Sequence, residues 1–227
     1  AEGFRPGGIN RRAALPPYLP DFLDSYELGW KTSWADNRLR FNGAVFYQEW
    51  KDFQFPILGA NGLTEIKNAP QARITGIEAD IVWIATEQLS LTAAVSFLNS
   101  ELTRPYCGFV DENNNPVSAD PCPTFDDDGN PITVEPEAPE GQKLPVTPDF
   151  KGNMTARYTF NVSEFQSYVQ GAVVYVGERE SDLRTAAREI IGQLSAYTTV
   201  DLAGGFGRGN WNIELYAMNL FDEDGEI

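Results

Sequence analysis

YELGWKTSWADNRLRFNGAVFYQEWKDFQ, residues Tyr26 to Gln54, is the stretch whose reading decides the fold. Tyr26, Leu28, Trp30, Thr32 and Trp34 alternate with Glu27, Gly29, Lys31 and Ser33. Further on, Leu39, Phe41, Gly43, Val45 and Tyr47 alternate with Arg40, Asn42, Ala44, Phe46 and Gln48. Successive side chains of a strand point to opposite faces, so each run has one apolar, aromatic face and one mostly polar face. Ala35-Asp36-Asn37-Arg38 between them is turn chemistry, because Asp and Asn tolerate a tight backbone. Strands in water-soluble sheets typically run about 5–6 residues; crossing a bilayer takes about 9–11. The expectation is a transmembrane β-hairpin, apolar face to lipid and polar face to a lumen.

The same alternation recurs outward along the chain. Ala1 to Phe4 reads as the end of a strand, and further strands are expected at 74–84, 89–101, 149–160, 165–177, 193–206 and 211–221. One or two helical turns are expected around Leu183–Ile190. Short turns at 35–38, 85–88, 161–164 and 207–210 alternate strictly with long loops at 5–21, 55–72, 102–148 and 178–192. In an antiparallel meander this puts all short turns at one end and all long loops at the other. Outer-membrane barrels have that asymmetry, with short periplasmic turns and long extracellular loops. The fold class read from the sequence is therefore all-β, an antiparallel transmembrane β-barrel segment.

The longest connection, 102–148, is rich in Pro, Asp and Asn, with nine carboxylates against Arg104 and Lys143. It holds a near-repeat, DENNNPVS at Asp111–Ser118 and DDDGNPIT at Asp126–Thr133, and both copies read as hairpin tips. An ordered extracellular insert is expected. Its Cys107 and Cys122 are expected to form a disulfide, which places the chain in an oxidising compartment.

Composition narrows function. The 227 residues carry a net charge of -16, which gives no electrostatic case for nucleic acid. No run approaches the roughly 18 apolar residues of a membrane helix. The absence of His removes His-based triads, His metal sites and His proton shuttles. No pattern reads as catalytic, and no cofactor is implied.

Six stretches, in order and spanning essentially the whole chain, resemble TonB-dependent outer-membrane receptors. They are GFRPGGIN (Gly3–Asn10), YELGWK (Tyr26–Lys31) with the following RFNGAVFYQEWKDFQ, NAPQARITGIEAD (Asn68–Asp80), KLPVTPDFKGN (Lys143–Asn153), YTTVDL (Tyr197–Leu202) and WNIELYAMNLFDE (Trp211–Glu223). The resemblance implies a barrel of roughly 22 strands around an N-terminal plug. Residues 1–227 would supply eight full strands and the end of a ninth, without the plug and the last strand. It further implies the bacterial outer membrane, energy-coupled uptake of a scarce nutrient, and coupling to TonB through the plug. A ferric siderophore is the first expectation for the nutrient, with carbohydrate or cobalamin behind it. The main alternative is a soluble or surface-attached β-rich protein that binds glycans or acts in adhesion.

Candidate site residues follow from these expectations. Arg5, Arg11, Arg12, Arg104, Arg179, Arg184 and Arg188 fall in expected outer loops, where their guanidinium forks suit anionic chelates. The same loops would meet lipopolysaccharide and outer-membrane lipid. Asp126, Asp127, Asp128 and Asn130 form an oxygen cluster of the kind calcium favours, although no Glu completes a calcium loop and a solvated acidic turn is the stronger reading. Glu27, Lys31, Arg40, Glu78, Asp80, Lys151, Arg157, Asp201 and Glu214 are expected to face inward on a hydrated wall. Trp30, Trp34, Trp50, Trp83 and Trp211 are expected in aromatic girdles.

Overall fold

The structure, a computed structural model, describes residues 1–11, 15–59 and 62–225. In chain order the strands are β1 (Glu2–Arg5), β2 (Asp21–Trp34), β3 (Leu39–Leu58), β4 (Thr64–Ile84), β5 (Leu89–Leu102), β6 (Cys122–Phe125), β7 (Pro131–Val134), β8 (Phe150–Val162), β9 (Phe165–Val176) and β10 (Arg179–Glu180). A helix α1 (Thr185–Ile191) follows, then β11 (Gln193–Leu194), β12 (Tyr197–Arg208) and β13 (Trp211–Ala217). Nine of the strands form one antiparallel sheet in the order β1-β2-β3-β4-β5-β8-β9-β12-β13. β6 pairs with β7, and β10 with β11, as separate two-stranded ribbons. The run expected at 193–206 is thus split, because Gln193 and Leu194 turn back to pair with Glu180 and Arg179.

The register decides what each face holds. At the short-turn end Trp34, Leu39, Trp83 and Leu91 stand abreast. Towards the long-loop end Tyr26, Tyr47 and Thr75 stand abreast. Tyr26 to Trp34 is about 26 Å along the strand, or about 20 Å along the membrane normal at a tilt near 40°. Between these levels the residues sharing that face on β2–β5, β8, β9, β12 and β13 include no charged side chain among the described residues. Many of them, Leu28, Ile77, Phe97 and Met154 among them, are exposed. Apolar exposure this continuous is untenable in water and suits lipid. Trp30 fills the gap over Gly43, where an added Cβ would collide with the indole.

Most buried apolar side chains lie above that band, on the inward side. Phe53, Phe55, Ile57, Ala69, Ala72, Leu102, Tyr106, Ala138, Leu144 and Leu183 form one cluster, with Trp50 and Ile74 against it. A backbone inversion makes it possible. Lys51 faces Gln71 and Phe53 faces Ala69, so Asp52 falls opposite Pro70, which has no N–H to pair. Asp52 adopts φ +51. Trp50 and Phe53, which strict alternation would put on opposite faces, then meet on the inner face with centroids 5.5 Å apart. The expected loop at 55–72 is accordingly replaced by strand, since β3 and β4 continue as a hairpin well past the aromatic level. Trp50 leaves the expected girdle and donates from Nε1 to Asp21 at 3.0 Å.

The insert packs onto this hairpin. Cys107 and Cys122 are disulfide-bonded, Cα to Cα 5.7 Å. The two sequence repeats are two copies of one turn. Asp111 Oδ1 accepts from the N–H groups of Asn113 and Asn115, and Asp126 Oδ1 from those of Asp128 and Asn130. Further bonds tie the four long connections together. Asn10 pairs both ways with the Ile66 backbone, and Asn114 Nδ2 donates to Pro17 O at 2.8 Å. Lys67 Nζ donates to Gly108 O at 2.9 Å, Thr185 N to Glu137 O, and Val146 N to Glu180 O.

Candidate ligand-facing surface

The inward face of the sheet is polar because alternation puts every second residue there. Glu27, Lys31, Glu78, Asp80 and Lys151 line a hollow of about 720 Å³ on it, with Asn42, Ser96 and Asn153 between them. Asn42 Nδ2 donates to Asp80 at 3.0 Å, and Ser96 Oγ to Glu78 at 3.1 Å. Nearer the short turns, the Arg157 guanidinium lies 3.6 Å over the Tyr168 ring, whose hydroxyl donates to Glu214. Asp201 accepts from the Asn219 N–H at 2.8 Å. The register puts Arg40 on the same face, beside Ser33 and Val82.

At the long-loop end the candidate arginines separate into two groups. Arg5 holds the buried Asp21, donating from Nε at 2.9 Å and lying 5.1 Å over the Trp50 ring. Arg184 pairs with Asp182 at 2.9 Å and Arg188 with Glu180 at 3.0 Å, within one loop. Arg179 is buried, 5.3 Å from the Tyr197 ring centroid. Arg11 and Arg104 are exposed to solvent. Arg12 lies outside the described residues. The six described arginines are thus not one cluster.

Electrostatics in the loops follows local hydrogen bonding. The Asn115 N–H lowers the Asp111 carboxyl below the usual range, and Asn130 does the same for Asp126. Asp126 therefore spends both oxygens on its own turn. Among the described residues no three His, Cys, Asp or Glu side chains converge as a metal set. Burial acts to raise the Asp182 carboxyl, but Arg184 outweighs it and the group is lowered. Burial pushes the Tyr106 hydroxyl up.

Tyr106 and Lys67 belong to a feature that alternation does not reveal. With Pro16, Pro17, Tyr18 and Phe109 they line a cavity of about 310 Å³ between the first loop, the hairpin and the insert. The signal for it is only compositional, a cluster of Pro and aromatic residues in stretches far apart in sequence.

Residues 1–220 match the TonB dependent receptor-like, beta-barrel family. The chain belongs to this family. It is 27% identical over 224 residues to the metal-pseudopaline receptor CntO of Pseudomonas aeruginosa, covering 98% of this chain and 26% of that receptor. The chain therefore spans about a quarter of the curated relatives' length. It superposes on the ferric yersiniabactin uptake receptor FyuA from Yersinia pestis with a TM-score of 0.69, at 22% identity, over 98% of this chain and 29% of that one. For BauA, the ferric preacinetobactin receptor from Acinetobacter baumannii, the TM-score is 0.62 at 16% identity, covering 97% and 29%. At these identities the structural likeness speaks for the fold. This TonB-dependent receptor segment is an outer-membrane barrel wall, and its relatives are transport receptors, not enzymes.

Proposed function

We propose that the chain forms part of a receptor for energy-coupled uptake of a scarce nutrient across the outer membrane, with a ferric siderophore as the cargo. The observation that carries it is the two-faced wall: charge-free towards lipid, and polar around a hollow of about 720 Å³ towards the lumen. CntO, by its name, takes a metal-loaded chelator, and FyuA and BauA take ferric chelates, which supports a metal chelate as the class of cargo. The exposed Arg11 and Arg104 at the mouth supply cations for an anionic chelate. TonB would act through a plug, and the outer surface would contact lipopolysaccharide and other lipid. The glycan-binding alternative is disfavoured by an exposed apolar band that water would not tolerate.

The test is radio-iron accumulation from a panel of ferric chelates in cells with and without the full-length receptor. Receptor-dependent uptake of a ferric chelate that a protonophore abolishes supports the proposal. Receptor-dependent uptake of only a carbohydrate or cobalamin would replace the cargo and keep the fold.

A further inference from the structure

The cavity of about 310 Å³ between the first loop, β4 and the insert has one polar group to spare. Its charged and amide side chains are Asn10, Glu65, Lys67 and Asn68. Asn10 accepts from the Ile66 N–H at 2.8 Å and donates to Ile66 O at 3.0 Å and to Pro16 O at 3.2 Å. Asn68 accepts from the Leu19 N–H at 2.7 Å and donates to Leu19 O at 3.0 Å and to Asp52 O at 2.6 Å. Both amides are thereby committed to holding the first loop against β4. Glu65 is turned towards the hairpin tip, where a Cβ at Gly59 would collide with its Oε1. Lys67 differs. Its Nζ donates to Gly108 O at 2.9 Å, and among the described residues no carboxylate forms an ion pair with it. An ammonium carries three donors, so two remain for a ligand. A half-buried cation without a counter-ion is costly. An anion entering the cavity would relieve that cost through charge-assisted hydrogen bonds.

The rest of the lining is apolar and rich in rings. Pro16, Pro17 and Tyr18 come from the first loop, Ile66 from β4, and Phe109 and Val110 from the insert. Ring faces of this kind suit a flat aromatic partner. The walls are fixed before anything binds. Asn114 Nδ2 bonds the insert to Pro17 O at 2.8 Å, and the Cys107–Cys122 disulfide holds the insert beside Gly108. A preformed site spares a ligand the cost of ordering it. Size narrows the ligand further. Ligand pockets run from about 300 to 1,000 Å³, and this one is at the small end. At about 30 Å³ for each water-sized group, it admits a single substituted ring and excludes a metal chelate with several arms. It also lies apart from the luminal hollow: Glu78, which lines that hollow, is about 36 Å further along β4 than Lys67.

We propose that this cavity binds a small aromatic acid, a flat ring bearing one carboxylate or phenolate, with Lys67 Nζ taking the anionic group. The site goes beyond the transport reading and holds whichever nutrient the receptor imports.

The experiment uses the full-length receptor in detergent, with 4-fluorobenzoate as the probe and fluorine NMR as the readout. Saturable binding is expected. Lys67→Met is expected to weaken it at least 10-fold, while Lys67→Arg retains it. Lys143→Met removes a cation paired with Asp149 elsewhere at the same end and is expected to change nothing. On the wild-type receptor, benzoate should displace the probe at least 10-fold better than benzamide, which lacks the charge, or cyclohexanecarboxylate, which lacks the flat ring. These two comparisons need no variant and stand even where Lys67→Met fails to fold. Absence of saturable binding, unchanged binding by a folded Lys67→Met, equal loss with Lys143→Met, or equal displacement by benzamide or cyclohexanecarboxylate would overturn the site. With the Lys67 dependence in place, displacement of the probe by a ferric tris-catecholate would identify the ring as one arm of a chelate, and failure to displace it would identify a free acid; either supports the site.

Discussion

Asp21→Asn should open the junction between the first strands and the hairpin while leaving the lipid-facing wall intact. The Asp21 residue is 1% exposed. Its carboxylate accepts from the Arg5 guanidinium and the Arg5 N–H, from Trp50 Nε1 at 3.0 Å and from the Gln54 N–H at 3.1 Å. An Asn of the same shape removes the charge and leaves at least one of these donors facing another donor. An unsatisfied buried donor costs about 1–3 kcal/mol. The lost ion pair adds less than a buried pair would, because Arg5 is half-exposed and water can take it. About 3 kcal/mol of local stability is expected to go, roughly 100-fold in the exchange rate of an amide that opens with this unit. Hydrogen exchange of the receptor in bilayers should show that acceleration at Gln54 and Arg5 and little change at Val45 or Ile77. Unchanged protection at Gln54, or equal acceleration along the whole of β3, would refute the reasoning. The pH dependence has a definite sign. Burial acts to raise the Asp21 carboxyl, but Arg5, Gln54 and Trp50 outweigh it and lower the group below its usual range. Its contribution is therefore present above the unfolded value, about 3.9, and is lost only as pH falls through the lower folded value. The junction should be as protected at pH 5 as at pH 7.

Three further outcomes are expected. Replacing both cysteines, C107S/C122S, frees a loop of sequence separation 15; this should cost about 3 kcal/mol locally and speed proteolysis between residues 107 and 122 without preventing barrel formation. Gly43→Val places a Cβ against the Trp30 ring and should destabilise the folded barrel by about 1–3 kcal/mol in urea titrations, whereas at Gly171 an added Cβ meets only Leu202 at 3.6 Å and Gly171→Ala should be nearly silent. Chelating divalent metal should leave protease resistance at Asp126–Asn130 unchanged, because Asp126 already closes its turn; calcium-dependent protection there would mean that the turn holds metal after all.

The barrel wall was legible in the sequence wherever a single period governs. From Tyr26 to Tyr47 the outward residues alternate without interruption, and the register confirms each of them. The inward charges were legible for the same reason. The hairpin beyond Lys51 was not, because its sense depends on one positive φ at Asp52, a residue type that gives no warning of it. The insert's contribution to the core is not legible in the sequence because Tyr106, Ala138 and Leu144 are isolated apolar residues without periodicity, joined only by tertiary packing. The partners of the arginines were not legible: Arg5, which ends β1 instead of lying in the expected loop, pairs with Asp21, and Arg188 pairs with Glu180, at separations of 16 and 8 positions that no local pattern links.

The inversion at Asp52 would hide in any substitution scan of this segment. From Leu39 to Ile57 the odd-numbered positions carry most of the apolar residues, apart from the charged Glu49 and Lys51. A scan would show one intolerance to polar substitution recurring at every second residue and suggest one cause. There are two. Below Asp52 a polar side chain would be confronted by hydrocarbon, and the failure would appear as poor insertion. Above it the same change would pry apart the core at the long-loop end, and the failure would appear as loosened, protease-sensitive loops on a barrel that had assembled normally. An engineer recoding this strand by parity alone would be right about where substitutions fail and wrong about why.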